Sequence, residues 1–462
     1  MKPTLKHIYT GLFFLGIFFI PFNSYEGIAV LGEYSREGAV VFFLAALLVY
    51  CIDVSLKDKI TFPKNNLFTQ FLLVFIGWLL LSVLLNGSTV SQNFMKQTSG
   101  VSRFIRQFLS LSIALSIWWL SYVIFKKQAV TVIFLRIRKV FLYAFVFVFL
   151  YSLLEIAALY GNSQAAVKAI SFFNYVPFVE VALDFTYKRI SSVALEPPFL
   201  AIFLITIAGW MFSYIITSKG FKKYLPAIAI FIITFFSGSR TALIVVFFQF
   251  LVFVGLVFTL NKKYRSILQK MAVTLGVLMI VLLAFNGKAV SKAVDSKVAS
   301  LNFKENLSQN ISNRSRFGIQ YTSLLIFLEN PIIGVGFGQQ GFHAQTKYPD
   351  WATYKNYEFT EYYLNEEVRS FPPGFNIYTR WLAEIGIVGF GLFVVFLTLL
   401  IYQCKKLTRT RSDIEKVTAI VLLVSFVGFA INWLQFDSFR VFGFWICLAL
   451  LMHLLEKKET HA

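Results

Sequence analysis

The residues in this chain best suited to chemistry are arginines placed near the ends of apolar runs. Arg240 follows Phe236-Ser237-Gly238-Ser239, between two such runs, where a helix is expected to start near Thr241. Arg314 and Arg316 stand in Asn-Arg-Ser-Arg just before a helix-like run, and Arg189 and Arg380 lie near two further expected helix ends. A planar guanidinium binds phosphate through two parallel hydrogen bonds, and a helix N-terminus adds backbone donors and positive potential. Five such arginines suit a polyanionic ligand such as a lipid pyrophosphate, and the small Ser-Gly-Ser turn would let donors approach a phosphate closely. The competing readings are an interfacial side chain that snorkels, for Arg240, and solvated loop charges, for Arg314 and Arg316. An arginine at membrane depth costs about 2.5–3.5 kcal/mol, so a partner is expected for Arg240.

Proton transfer has three candidates. Glu196, before Pro197-Pro198, and Glu384, one turn beyond Arg380, are carboxylates at expected span ends. Each is either an arginine counter-ion, an (i, i+4) partner in the case of Glu384, or a general base for a sugar hydroxyl. His343 is the one histidine expected on the same face. Gly336-Phe337-Gly338-Gln339-Gln340-Gly341 fits a dinucleotide fingerprint but lacks the βαβ context that gives it meaning. There is no phosphate-binding P-loop, no Asp-x-Asp and no cysteine framework, so neither metal nor nucleotide cofactor is expected.

The elements that must position these residues are membrane spans. The 462 residues are 57% hydrophobic and only 14% charged, far from the roughly 25% charged residues of a soluble domain. Apolar runs long enough to cross about 30 Å of hydrocarbon fall near 8–22, 38–56, 67–85, 107–125, 140–159, 199–217, 224–238, 241–260, 271–286, 376–403, 417–434 and 440–455. The expected fold is an all-α polytopic membrane protein of about twelve helices. Nine occupy 1–286, a long periplasmic loop with short helices occupies 287–375, and three occupy 376–462. Residues 128–135 are too short to span and are expected to lie along the interface. Lys57/Lys59/Lys64, Lys126/Lys127, Lys219/Lys222/Lys223, Lys262/Lys263/Arg265 and Lys405/Lys406/Arg409/Arg411 all land on one side. Under the positive-inside rule that side, and both termini, are cytoplasmic. The net charge of +20 therefore reflects topology, and nucleic acid is not an expected partner.

Within this frame the chain resembles the O-antigen polymerase/ligase superfamily of bacterial inner membranes. The likeness rests on Ser237–Arg240, on the Arg-rich start of the long loop with Asn-Pro-Ile-Ile-Gly-Val-Gly-Phe-Gly at 330–338, and on Asn376-Ile377-Tyr378 through Glu384-Ile385-Gly386-Ile387-Val388-Gly389. Glu196-Pro197 is a weaker fourth element. The resemblance implies transfer of glycans from undecaprenyl pyrophosphate at the periplasmic face. Arg240 and an arginine of the 314/316 pair would hold the donor pyrophosphate, with Asn376 and Tyr378 in the substrate segment. Ligases typically read His-Asn there, the histidine being the proposed base. This chain reads Phe375-Asn376, which favours a repeat-unit polymerase and leaves the base unassigned. Trp351, Tyr354, Tyr357, Tyr362 and Tyr363 would offer stacking faces to sugars. Membrane lipids and a chain-length regulator are candidate partners. A transporter predicts paired polar residues at mid-membrane and repeat symmetry, and the sequence displays neither.

Overall fold

Most of the helices are apolar on every face, the pattern of helices solvated by hydrocarbon rather than of amphipathic helices around a soluble core. The computed structural model describes residues 4–57, 60–260, 265–266, 310–410 and 413–459. The first half forms α1 (Leu5–Phe18), α2 (Gly38–Ser55), α3 (Leu67–Leu85), the short α4 (Gly87–Gln92), α5 (Gly100–Lys126), α6 (Val130–Leu159) and the short α7 (Gln164–Ser171). The second half forms α8 (Pro197–Phe212), the one-turn α9 (Tyr214–Thr217), α10 (Leu225–Phe236), α11 (Arg240–Leu260), α12 (Ile311–Glu329), the short α13 (Gln340–Ala344) and α14 (Asp350–Thr353). It closes with α15 (Ile377–Thr410), α16 (Asp413–Asn432) and α17 (Phe442–Glu459).

Among the described residues eight helices are long and apolar enough to cross a membrane: α2, α3, α5, α6, α8 with α9, α11, α15 and α16. Three shorter apolar helices, α1, α10 and α17, fill the remaining expected intervals except 271–286, which lies outside the described residues. Leucines such as Leu48, Leu73 and Leu84 stand exposed on α2 and α3, as lipid-facing positions should.

Helix α8 occupies the middle of its neighbours, buried from Leu200 onward and packed against α10, α11 and α16. Gln249 of α11, fully buried, ties α8, α11 and α16 together. Its Nε2 donates to the Ile205 carbonyl of α8 at 3.0 Å and to the Val424 carbonyl of α16 at 3.2 Å. Polar side chains bridge helices in this way where hydrocarbon offers no competing partner.

The stretch 128–135 is not a separate interfacial segment. It opens α6, which runs unbroken for 30 residues from Val130. The reason is packing: Val130, Ile133 and Phe134 are buried against protein, and Arg138 donates from Nη1 to Thr217 Oγ1 at 2.7 Å. Helix α12 ends just before Pro331. Arg314 and Arg316, however, lie inside its first two turns rather than ahead of it, because Asn310 already caps the helix by accepting from Asn313 N at 3.1 Å.

Two devices hold the long loop to the bundle. The glycine-rich turn after Pro331 plugs a break in α15. At Gly386 the backbone leaves the helical region (φ 63°, ψ −173°). Val335 N there donates to Ala383 O at 2.9 Å, Gly336 N to Glu384 O at 2.8 Å and Ile387 N to Pro331 O at 2.8 Å. A Cβ on Gly334 would sit 2.4 Å from the Glu384 carbonyl carbon, and one on Gly386 would sit 2.1 Å from Ile332 O. These glycines serve backbone-to-backbone contact. Gly334→Ala, strained at φ 74° as well, should cost several kcal/mol (roughly 3 or more) and leave little protein in the membrane fraction.

The second device is Lys96. It sits at the turn of a small hairpin of β1 (Phe94–Met95) and β2 (Thr98–Ser99) and is fully buried. Its Nζ donates to the carbonyls of Tyr362, Asn365 and Val368 at 2.6, 2.7 and 2.9 Å. Charge-assisted bonds of this kind contribute about 1.5–3 kcal/mol each, and an unmade one costs desolvation. Lys96→Met should therefore loosen the loop locally. Trypsin cleavage at Lys355 or Arg369 should become several-fold faster, and a wild-type cleavage rate would contradict this assignment.

Candidate functional site

At the end of the bundle that carries the long loop, the turn between α10 and α11 sets the position of Arg240. Ser237 is buried, donates from Oγ to Thr234 O at 2.8 Å and accepts from Ser239 N at 3.2 Å. Ser239 Oγ accepts from Ala242 N at 3.2 Å and so caps α11. The Ser237 hydroxyl is thus committed to shaping the turn and is not a phosphate donor. Gly238 has φ 65°, and a Cβ there would collide at 2.8 Å with the aliphatic part of Arg189, which lies across the turn. Arg189 itself is exposed, pairs with Asp184 at 3.5 Å and covers the Tyr187 ring. Arg240 is half-buried and, among the described residues, makes no hydrogen bond or ion pair.

The two arginines of α12 have separated duties. Arg314 donates from Nη2 to the Tyr354 and Lys355 carbonyls at 3.0 and 3.2 Å, holding the aromatic part of the loop. Arg316 has no hydrogen-bond partner among the described residues, and its Nε is buried. Its guanidinium lies 5.1 Å from the centre of the Phe375 ring. Burial pushes the Arg316 guanidinium below its ordinary value and the Arg240 charge adds to this, while Tyr363, Glu358 and Glu196 pull the other way. An arginine does not give up its proton at ordinary pH, so the shift marks a cation short of a partner. Four residues along the same helix, Gln320 Nε2 is also buried without an acceptor, while its Oε1 accepts from Asn376 Nδ2 at 3.3 Å. Arg316, Gln320 and Arg240 therefore present donors and positive charge to one region, with no carboxylate hydrogen-bonded to any of them among the described residues.

The base candidates separate as well. Glu196, exposed at the N-cap of α8, acts electrostatically on Arg316 and so belongs to this arginine region. His343 does not: its charged neighbours are Lys347 and Glu329, and burial first, then Lys347, push it below its ordinary value. Glu384 is part of a different, buried cluster. There Arg380 donates from Nε to Glu384 Oε1 at 3.0 Å, from Nη1 to Asp437 O and Oδ2 at 3.1 and 3.3 Å, and from Nη2 to Gln107 Oε1 at 2.8 Å. Gln107 passes the connection on to Glu33. Arg440 donates to the Glu33 carbonyl at 2.6 Å, and Arg103 stands over Phe371 at 4.4 Å. Every nitrogen of the Arg380 guanidinium is engaged with protein, so it joins α5, α15 and the 435–440 connection.

Asn376 caps α15, accepting from Tyr378 N at 2.9 Å and Thr379 N at 3.3 Å, while the Tyr378 hydroxyl donates to Ala430 O at 2.6 Å. Of the named aromatics, Trp351, Tyr354, Tyr357 and Tyr362 are exposed and Tyr363 is half-buried. Tyr363 donates to Glu358 Oε2 at 3.4 Å beside Arg316.

Residues 225–394 match the family model described as O-antigen ligase. Over this segment the chain is similar to the O-antigen polymerase/ligase superfamily. The matched segment runs from α10 through the first half of α15, so it holds Arg240, both arginines of α12, the glycine-rich turn and the capped Asn376. Arg189, Glu196, Lys96, Arg103 and Arg440 lie outside it. No curated protein matches the chain. This match supports a ligase- or polymerase-type activity on lipid-linked polysaccharide.

Sequence reasoning missed Gln320 and Glu358 beside Arg316, and Arg103, Gln107, Asp437 and Arg440 around Arg380. For the second group a signal existed. Asp437 and Arg440 are charges in the short connection between the last two apolar runs, where an unpaired charge is costly.

Proposed function

We propose that the chain is a surface-polysaccharide polymerase of the bacterial inner membrane, working at the periplasmic face with both termini in the cytoplasm. The growing glycan leaves its undecaprenyl pyrophosphate and joins a sugar hydroxyl on a lipid-linked repeat unit. In one displacement the acceptor oxygen bonds to the anomeric carbon while the carbon–oxygen bond to pyrophosphate breaks, so the configuration inverts. The electron pair leaves with the pyrophosphate, which remains on its carrier. Arg240 and Arg316, with Gln320, bind the negative charge that grows on this leaving group. Oriented charge of this kind is the largest contribution such a site can make. Glu196 accepts the hydroxyl proton, and the exposed aromatics of 351–362 give sugars a face to stack on.

The observation that carries this reading is the pair Arg240 and Arg316, neighbouring cations with no bonded acceptor for either among the described residues. Phe375 supports the polymerase reading, because this ring under Arg316 occupies the position where the family resemblance would put a ligase's histidine base. The ligase alternative draws on the match to the O-antigen ligase family. A surface-polysaccharide gel separates them, using a strain lacking the gene complemented with wild type or Arg240→Ala. Core bearing a single repeat unit in the deletion, with the ladder restored by wild type alone, is the polymerase result. Bare core with polymer stranded on its lipid carrier is the ligase result, and an unchanged ladder would remove both.

A further inference from the structure

The end of the bundle away from the arginine pair holds a cavity of about 560 Å³ that takes no part in the chemistry above. It is enclosed by the approach to α3, the last turns of α5 and α17, and residues 403–406 of α15. Its wall is amphiphilic. Lys64, Lys126 and Lys406 supply charge, while Phe62, Leu67 and Phe68 supply apolar surface. Among the described residues Glu456 is the one acidic side chain lining it, and both carboxylate oxygens accept from the Tyr122 hydroxyl, at 2.8 and 2.9 Å. The Lys126 ammonium lies 5.6 Å from the centre of the Tyr122 ring. Three of the enclosing helices are membrane-spanning by length and composition, so the cavity lies where the bundle leaves hydrocarbon, at headgroup depth. Phe62 and Leu67 stay exposed at its edge, where acyl chains would pass.

Its size is that of a small-molecule site, and the lysines on its wall favour a phosphate-bearing anion. We propose that this cavity binds the headgroup of an anionic phospholipid. The lipid is a resident of the opposite end of the molecule from the glycan site, and the assignment does not depend on the polymerase reading.

The test uses the purified full chain in detergent, exchanged with phosphatidylglycerol or phosphatidylcholine and read by native mass spectrometry. Wild type should retain phosphatidylglycerol over phosphatidylcholine by about tenfold or more, since each lysine near a headgroup is worth roughly fivefold. The triple variant Lys64→Gln, Lys126→Gln, Lys406→Gln should lose most of that preference while eluting like wild type on gel filtration. Glu456→Gln, which keeps a hydrogen-bond acceptor for Tyr122 but removes the opposing charge, should raise phosphatidylglycerol retention several-fold. Equal retention of the two lipids by wild type would overturn the proposal, as would no gain in Glu456→Gln. Displacement of bound phosphatidylglycerol by low-millimolar inorganic phosphate would overturn it in favour of a soluble anion.

Discussion

Arg316→Met should cost about 10²–10³-fold in polymerisation while leaving the protein at least as stable as wild type. The first part follows from removing a donor aimed at developing charge on the leaving pyrophosphate. The second follows from burial. Arg316 Nε is a buried donor with no acceptor among the described residues, and such a group costs on the order of 1–3 kcal/mol while the site is empty. Methionine retains the apolar contact with Phe375 and removes that cost, so the melting temperature should hold or rise. Arg316→Lys should recover only part of the activity, because an ammonium lacks the planar fork that engages two phosphate oxygens. The measurements are elongation of lipid-linked repeat units by purified protein and thermal unfolding of the same samples. Full activity in Arg316→Met would sink the leaving-group role. A large fall in melting temperature would instead mark Arg316 as a structural residue.

The spans were legible because hydrocarbon imposes a length and an apolar composition that can be read residue by residue, and α3 begins and ends where its apolar run does. The same logic failed at 128–135, where burial against protein, not lipid, decided the conformation. The sequence could place arginines near expected helix ends, but not their division of labour. Arg314 is taken up by two carbonyls some 40 residues away, and Arg380 meets Gln107 across 273 residues. Such partners are chosen by how helices pack, and neither spacing nor charge pattern encodes that. The glycines of 334–338 stand out in the sequence as a cluster. That their purpose is to fill the break at Gly386 emerged only with α15 beside them.

Arg380 should behave in the opposite way to Arg316, and the contrast separates a ligand-binding arginine from a structural one. Arg380→Met leaves the buried Glu384 and the partly buried Asp437 without their shared cation. Removing one partner of a buried ionic group costs about 3–5 kcal/mol because the charges left behind stay desolvated. Little folded protein should accumulate in the membrane, and Arg380→Lys should fare scarcely better, since one ammonium does not match acceptors on Glu384, Asp437 and Gln107 together. Glu384→Gln then decides what that carboxylate does. As a counter-ion it should lower the melting temperature and reduce activity only as far as folded protein is lost. Combined with Arg380→Met it should recover part of the stability that Arg380→Met alone forfeits, because one stranded charge is gone. As a general base it would instead eliminate elongation in protein that melts like wild type. Glu384 Oε2 is buried without a partner, yet its carboxylate belongs to the Arg380 network rather than to the Arg316 region. The expected result is therefore the first, with Glu196→Gln being the substitution that removes elongation from well-folded protein.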